Sequence, residues 1–188
     1  MIFASPPEQS LEWSDNGLEG CHKFLKRLWA LSYRIKSLKD KDFGKSKDIL
    51  IDECKDLFIK INDDYDKRLN LNTVVSSCME ILNNINKKFT AKGIEASKED
   101  LMTVYDFLLV ALSPIAPHIT ENLYQEVLGK ELQEAKWPDK KFFEKNESEI
   151  KYLIQVNGKV RANIMIDSAL SEEEVKPVSY THLRAHET

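Results

Sequence analysis

Apolar residues recur every three or four positions over the first 128 residues of this chain, in five separate stretches. This spacing gathers apolar side chains on one face of an α-helix, so each stretch predicts an amphipathic helix. The stripe of the first stretch consists of Phe24, Leu28, Leu31, Ile35 and Leu38. We therefore predict a mainly α fold, an antiparallel bundle of five helices over residues 18–130.

Caps and helix breakers set the boundaries of the predicted helices. They lie at about residues 18–39, 46–69, 74–90, 98–113 and 118–128. The fourth helix has a clear start signal, because Ser97 is followed three residues later by Asp100, an acidic variant of the capping box. This helix is apolar on nearly every side, which is typical of the most buried helix of a bundle.

A different pattern follows the helices, where two predicted β-strands flank Asn157-Gly158. Asn-Gly between alternating apolar residues is a strong signal for a β-hairpin. A two-residue loop would pair Val156 with Lys159 and would mix apolar and charged residues on each face. A three-residue loop pairs Ile154 with Val160 and keeps the apolar residues together, so we predict the three-residue loop.

The polar face of this predicted hairpin carries three cations and no acid. Lys151, Lys159 and Arg161 share it with the amides of Gln155 and Asn163. Such a surface suits a phosphate backbone, because lysine and arginine neutralise phosphate charge. The alternative is an ordinary solvated face of a sheet that is packed on one side only.

Positive charge is also concentrated near the start of the chain. The whole chain has a net charge of −4, so any binding to nucleic acid needs a local patch. Residues 19–47 hold nine lysines and arginines against three acids. Lys23, Arg27 and Arg34 recur at four and seven residues, which places them on one flank of the first helix. With the hairpin, this predicts two basic surfaces that one nucleic acid backbone could cross.

The sequence shows no catalytic or metal-binding constellation. Cys21, Cys54 and Cys78 lie far apart within helical patterns, which indicates reduced, mostly buried thiols of a cytosolic protein. No Cys/His pair has metal-ligand spacing, so we predict no metal site. The acids at residues 63–66 lack the glycine and distal glutamate of a calcium loop, and we interpret them as solvated charges. We interpret His118 as a structural residue at a helix start.

Three parts of the sequence resemble bacterial leucyl-tRNA synthetases. Residues 1–20 with 24–29, Phe-Leu-Lys-Arg-Leu-Trp, resemble the junction between the catalytic core and the helical anticodon-binding domain. Residues 113–121, Ser-Pro-Ile-Ala-Pro-His-Ile-Thr-Glu, resemble a turn shared by the leucine, isoleucine and valine enzymes. Residues 153–161, Leu-Ile-Gln-Val-Asn-Gly-Lys-Val-Arg, resemble the start of the small C-terminal domain of the leucine enzyme.

The resemblance implies a domain organisation for most of the chain. Residues 1–17 would end the catalytic-core junction, and residues 18–130 would form the helical anticodon-binding domain. Residues 131–149 would be a linker, and residues 150–176 the start of a truncated α+β C-terminal domain. Residues 177–188 have no periodicity and look like a non-native tail.

The family joins leucine to its tRNA with ATP and Mg²⁺, on a nucleotide-binding fold whose signatures do not occur in this sequence. The resemblance therefore implies the tRNA-binding portion of a leucine–tRNA ligase, inactive by itself and without a cofactor of its own. Its partner would be tRNA(Leu), and it would be cytoplasmic, monomeric and not membrane-bound. Lys159 and Arg161 would contact the tRNA backbone, with Asn157 in the turn that presents them. Lys23, Arg27 and Arg34 are predicted from charge alone.

Two alternatives remain open from the sequence. One is the same region of a valyl- or isoleucyl-tRNA synthetase, although the hairpin favours the leucine enzyme. The other is a non-enzymatic helical interaction module, against which the excess of positive charge in residues 19–47 argues.

Overall fold

The computed structural model describes residues 15–144, and the backbone of residues 149–156 and 159–167. The chain divides into two compact units, one up to Phe143 and one from Glu144. The longer helices of the first unit are α1 (Asp15–Ser37), α2 (Ile49–Asp63), α3 (Leu71–Lys88), α4 (Lys98–Leu112) and α5 (Pro117–Leu128). They confirm the prediction of a mainly α fold with five helices. A short sixth helix, α6 (Lys140–Phe143), follows.

The core of the first unit is built around α4. Nine of its 15 residues are buried, and it packs against α2, α3 and α5. This confirms the expectation that the helix with apolar residues on nearly every side is the most buried one. The predicted stripe of α1 is also confirmed, because Phe24, Leu28, Leu31 and Ile35 are all buried. Burial of this apolar surface is the main force that holds the helices together.

The start of α2 depends on a carboxylate from α4. Asp48, the residue before α2, has a left-handed backbone and makes no capping hydrogen bond with its side chain. Instead, the backbone N–H groups of Leu50 and Ile51 donate to Asp100, at 2.9 and 3.0 Å. Ser97 caps α4 as predicted, since its hydroxyl accepts from the backbone N–H of Asp100. The side chain of Asp100 thus caps a different helix from the one it begins.

The sequence prediction missed a small three-stranded sheet, β1 (Phe43–Ser46), β2 (Phe89–Thr90) and β3 (Gly93–Ala96), with the order β1-β3-β2. β1 runs parallel to β3, and β2 runs antiparallel to β3. Residues 91–93 were predicted as the stop of helix three, but α3 already ends at Lys88, so residues 91 and 92 form the turn between β2 and β3 and Gly93 begins β3. Gly44 permits the pairing, since a Cβ there would lie 1.8 Å from the Glu95 carbonyl oxygen.

The predicted second helix changes character before its end. α2 gives way to one turn of π-helix, Asp64–Arg68, and Leu69 then adopts a left-handed φ of 52°. The interpretation of the nearby acids as solvated is wrong for Asp64, whose exposed fraction is 1%. The hydroxyl of Thr73 donates to it at 2.5 Å, and Arg68 lies 3.8 Å away. A buried carboxylate needs such partners because burial disfavours its charge.

Residues 131–143 were predicted to be part of a linker over residues 131–149. In the structure they pack onto the bundle. The Phe142 ring stacks on Phe58 with centroids 5.2 Å apart, and Lys55 donates to the Phe142 carbonyl oxygen. Trp137 and Phe143 also join this aromatic cluster through Phe107, at 5.3 and 6.1 Å. Phe142 and Phe143 stand between charged residues at 139–141 and 144–145 and show no helical periodicity, so the sequence alone did not reveal this packing.

The second unit contains the predicted hairpin, β4 (Glu149–Val156) and β5 (Lys159–Asp167), which pair antiparallel. The predicted three-residue loop with Ile154 opposite Val160 is wrong, because Val156 pairs with Lys159 across a two-residue connection. A bulge next to Ile154 then shifts the register, so that Ile154 pairs with Ala162. Between the bulge and the open end, the apolar pairs Ile154–Ala162, Tyr152–Ile164 and Ile150–Ile166 are kept, as the alternating pattern requires, whereas Val156 and Val160 are paired with Lys159 and Gln155.

Candidate nucleic-acid interface

The predicted basic flank of α1 starts with Lys23, which lies on the exposed side of the helix. Its ammonium forms an ion pair with Glu19 at 2.7 Å, and both side chains are about two-thirds exposed, 67% and 62%. Exposed pairs of this kind contribute little to stability, typically ~0.5 kcal/mol. Lys23 can therefore exchange Glu19 for an external anion at small cost.

The two predicted arginines of this flank have partners within the bundle. Arg27 donates to the side-chain oxygen of Asn83, and Arg34 donates to that of Asn86 at 2.8 Å. The guanidinium of Arg34 also lies 3.8 Å above the ring of Phe89, a cation–π contact. Both arginines thus fasten α1 to α3, and Arg34 also contacts β2. Each guanidinium has five donors, so one hydrogen bond leaves others for a phosphate.

Three lysines that were not among the predicted contact residues also lie at the surface. Lys41 lies in a short 3₁₀ turn, and Lys45 and Lys47 lie in or next to β1. All three are exposed, and none has an ion pair within the part of the chain that the structure describes. They belong to the same basic stretch, but a search by helical spacing could not find them, because they follow the end of α1.

The cations of the hairpin lie in the second unit. Lys159 begins β5, opposite Val156, and Arg161 falls at the bulge, between the pairs Gln155–Val160 and Ile154–Ala162. Asn157, the predicted turn residue, lies outside the described residues. The backbone thus places Lys159 and Arg161 next to the hairpin tip, while Lys23, Arg27 and Arg34 belong to the first unit.

Two of the three cysteines lie in the core of the bundle, where a thiol is unreactive. Cys54 and Cys78 are fully buried. Burial raises the pKa of the Cys54 thiol to about 12, and burial also raises the pKa of Cys78. Since the thiolate is the reactive form, both side chains are inert in the native state. Cys21 is partly exposed.

We expect thiol labelling of the native protein to show this difference. Cys21 should react with a charged aromatic disulfide within minutes, whereas Cys54 and Cys78 should react only after denaturation. Mass spectrometry of the labelled peptides would assign each site. Rapid labelling of Cys54 without denaturant would contradict the burial described above.

Neither a metal site nor a membrane helix is found in the described part of the chain. No group of three or more His, Cys, Asp and Glu side chains in residues 15–144 could hold a metal ion. His118 lies exposed in the first turn of α5. None of the described helices is long and apolar enough to cross a membrane.

Comparison with known proteins identifies the class to which this helical fold belongs. The family model described as the anticodon-binding domain of tRNA ligase matches residues 47–176. The match covers more than half of the chain, from the end of β1 through the hairpin. The chain therefore belongs to the anticodon-binding domain family of tRNA ligases.

Similar curated proteins include leucine–tRNA ligases of several bacteria. Identity is 34% over 97% of this chain for the protein of Legionella pneumophila (strain Paris), and 35% over 95% for that of Marinobacter nauticus. The chain spans about a quarter of their length, 24% and 21%. A similar solved structure is the LeuRS of Agrobacterium radiobacter K84 in a ternary complex with tRNA and LeuAMS. Its TM-score is 0.69 at 22% identity, covering 95% of this chain and 24% of that one.

Proposed function

We propose that this chain is the tRNA-binding portion of a leucine–tRNA ligase and that its partner is tRNA(Leu). The observation that carries the proposal is the identity with leucine–tRNA ligases, 32–35% over at least 94% of the chain. This identity extends through both basic regions, α1 and the hairpin. A structural neighbour that was crystallised with tRNA supports the same partner.

The physical basis of the proposed binding is neutralisation of phosphate charge. Lys23 with the exposed cations at residues 41–47 offers one contact region, and Lys159 with Arg161 offers a second. Each neutralised phosphate releases condensed counterions, so affinity comes largely from this release and falls with added salt. The net charge of −4 keeps the remaining surface unattractive to RNA, which restricts contact to the basic regions.

Leucylation itself is assigned to polypeptide outside this chain. In the proposed enzyme, ATP and Mg²⁺ serve the catalytic part, and we propose that residues of this chain hold neither. We further propose that the protein is monomeric and acts in the cytoplasm. Its contribution would be to hold the tRNA body in place, which supports catalysis through positioning alone.

A filter-binding titration against salt tests the proposal. We expect binding of tRNA(Leu) with a logarithmic affinity that falls linearly with the logarithm of salt concentration, with a slope of several units. Competition with tRNA(Val) tests the assignment to leucine, since tRNA(Leu) should compete better. A flat salt dependence, or no binding in dilute buffer, would contradict the proposed function.

Charge reversal on the hairpin should weaken this binding while the bundle stays folded. We expect Lys159→Glu with Arg161→Glu to lower the affinity for tRNA(Leu) at least ~10-fold and to reduce the salt slope by about two. The matched control is Lys130→Glu with Lys136→Glu, two exposed lysines in an acidic stretch. Circular dichroism checks that helical content is unchanged in both. An equal loss in the control would show that only net charge matters.

A further inference from the structure

A cleft of about 850 Å³ lies in the first unit, and its described lining residues lie outside the basic stretch 19–47. Its walls come from the π-helical turn after α2, from the α4–α5 turn and from residues 137–143. A volume of this size is typical of sites for small organic ligands. Nothing in the proposed contacts at α1 or at the hairpin makes use of it.

The aromatic wall of the cleft is rigid and partly open. Trp137 lines the cleft and is 38% exposed, while the rest of its side chain packs against neighbouring residues. Its indole N–H donates to the side-chain oxygen of Asn62 at 2.9 Å. Phe143, which also lines the cleft, stacks on Trp137 with ring centroids 6.1 Å apart, and Tyr65 meets Trp137 edge-on at 5.7 Å. A fixed, accessible indole of this kind is a platform on which a planar ring can stack at low entropic cost.

The rim of the cleft is polar and carries a small excess of positive charge. Asp66, Lys67 and Lys140 line it. Lys67 is paired with Asp63 at 2.7 Å, whereas Lys140 has no ion pair within the part of the chain described by the structure. A free ammonium beside an aromatic platform is complementary to a ring that carries a phosphate.

The backbone next to the cleft is unusual in two ways. Asn62 lies one residue before the end of α2, and Tyr65–Lys67 belong to the π-helical turn, a conformation that occurs frequently at functional sites. Leu69, the residue after that turn, has a φ of 52° and is 67% exposed. This conformation ends the helical turn, since the backbone N–H of Leu69 donates to the carbonyl oxygen of Asp64, so the π-helical turn is the feature here that is associated with function.

We propose that this cleft holds one unstacked nucleotide of a bound RNA, with its base on Trp137 and its phosphate at Lys140. The inference rests on the proposed function, since it takes RNA as the partner. Asp66 supplies a carboxylate that can accept from an exocyclic amino group of the base. The platform would accept any base, because every base has a π-face, so the site selects an unpaired nucleotide more than a sequence.

The test uses the whole chain and a fluorescein-labelled, single-stranded RNA of eight nucleotides, followed by anisotropy. We expect Trp137→Leu to weaken binding at least about fivefold. We expect Lys140→Ala to lower the salt slope by about one. The matched control is Lys130→Ala, an exposed lysine outside the cleft and outside both basic regions. This control should leave binding within twofold of wild type, and thermal melting confirms that every variant is folded.

Crosslinking locates the bound base independently of any substitution. The same RNA with 5-bromouridine in place of uridine, irradiated on the protein, should attach to Trp137 or Tyr65 in peptides identified by mass spectrometry. Crosslinks only to peptides outside the cleft would overturn the inference, and so would variants that match the control. If tRNA(Leu) still binds with a steep salt dependence in that case, the proposed function stands and only the cleft assignment fails.

Discussion

Phe58→Ala is expected to lower the free energy of unfolding by about 3–5 kcal/mol. Phe58 is fully buried, and its ring lies 4.5 Å from that of Phe107 and 5.2 Å from that of Phe142. Removal of the ring leaves a cavity at the place where α2, α4 and α6 meet, and the surrounding helices can collapse into it only partly. Urea denaturation followed by circular dichroism measures the change.

The same substitution should also release residues 131–143 from the bundle. Phe142 would lose its stacking partner, and hydrogen exchange of the α6 amides should become faster than in wild type. Tyr33→Ala is the matched control, because Tyr33 is aromatic but 62% exposed, and its loss should change stability by less than ~0.5 kcal/mol. A Phe58→Ala variant as stable as this control would contradict the aromatic packing described here.

Asp100→Ala is expected to destabilise the protein by about 1–3 kcal/mol, through a helix that does not contain it. Without the carboxylate, the buried N–H of Leu50 and the partly buried N–H of Ile51 have no acceptor. Asp48 cannot replace it, since its backbone is left-handed and its side chain makes no cap. We expect faster hydrogen exchange in the first turn of α2. Asp52→Ala is the control, because Asp52 is an exposed acid in the same turn and its removal should leave stability unchanged.

The loss of stability in Asp100→Ala should also depend on pH, and the pKa of Asp100 sets the direction of this dependence. Burial raises the pKa of this carboxyl, and the hydrogen bonds from Leu50 and Ile51 offset the rise only in part. The folded state therefore binds a proton more readily than the unfolded state, so ionisation costs stability as pH rises above the unfolded value of ~3.9. The destabilisation by Asp100→Ala should thus be larger at about pH 4 than at about pH 7. The opposite trend would contradict the direction of the shift.

The helices were predictable because their signals are local. The four buried residues of the α1 stripe recur at the spacing that one helix face requires, and Ser97 caps the helix that begins right after it. A short window of sequence therefore contains each of these signals. The role of Asp100 was not predictable in this way. Its sequence position suggests a capping box, but its carboxylate binds N–H groups 50 residues away, which only the tertiary structure reveals.

The strands and the candidate site were predicted less completely. The hairpin follows from Asn157-Gly158, but two loop lengths fit the pattern when a bulge is allowed, and the bulge beside Ile154 decides between them. β2 has only two residues, too few for any periodicity. Charge on α1 could be counted from the sequence, whereas the use of Arg27 and Arg34 to bind α3 depends on which helix packs beside them.

The small sheet and the Asp100 cap have a consequence for how this bundle folds. β1 joins β3, and the N-terminus of α2 joins α4, across about 50 residues of intervening chain. Simple helical bundles fold quickly because most of their contacts are local in sequence, and closing a long loop delays that process. We therefore expect α2 and α3 to form a pair early, and the region around β1 to reach its native arrangement only when α4 docks.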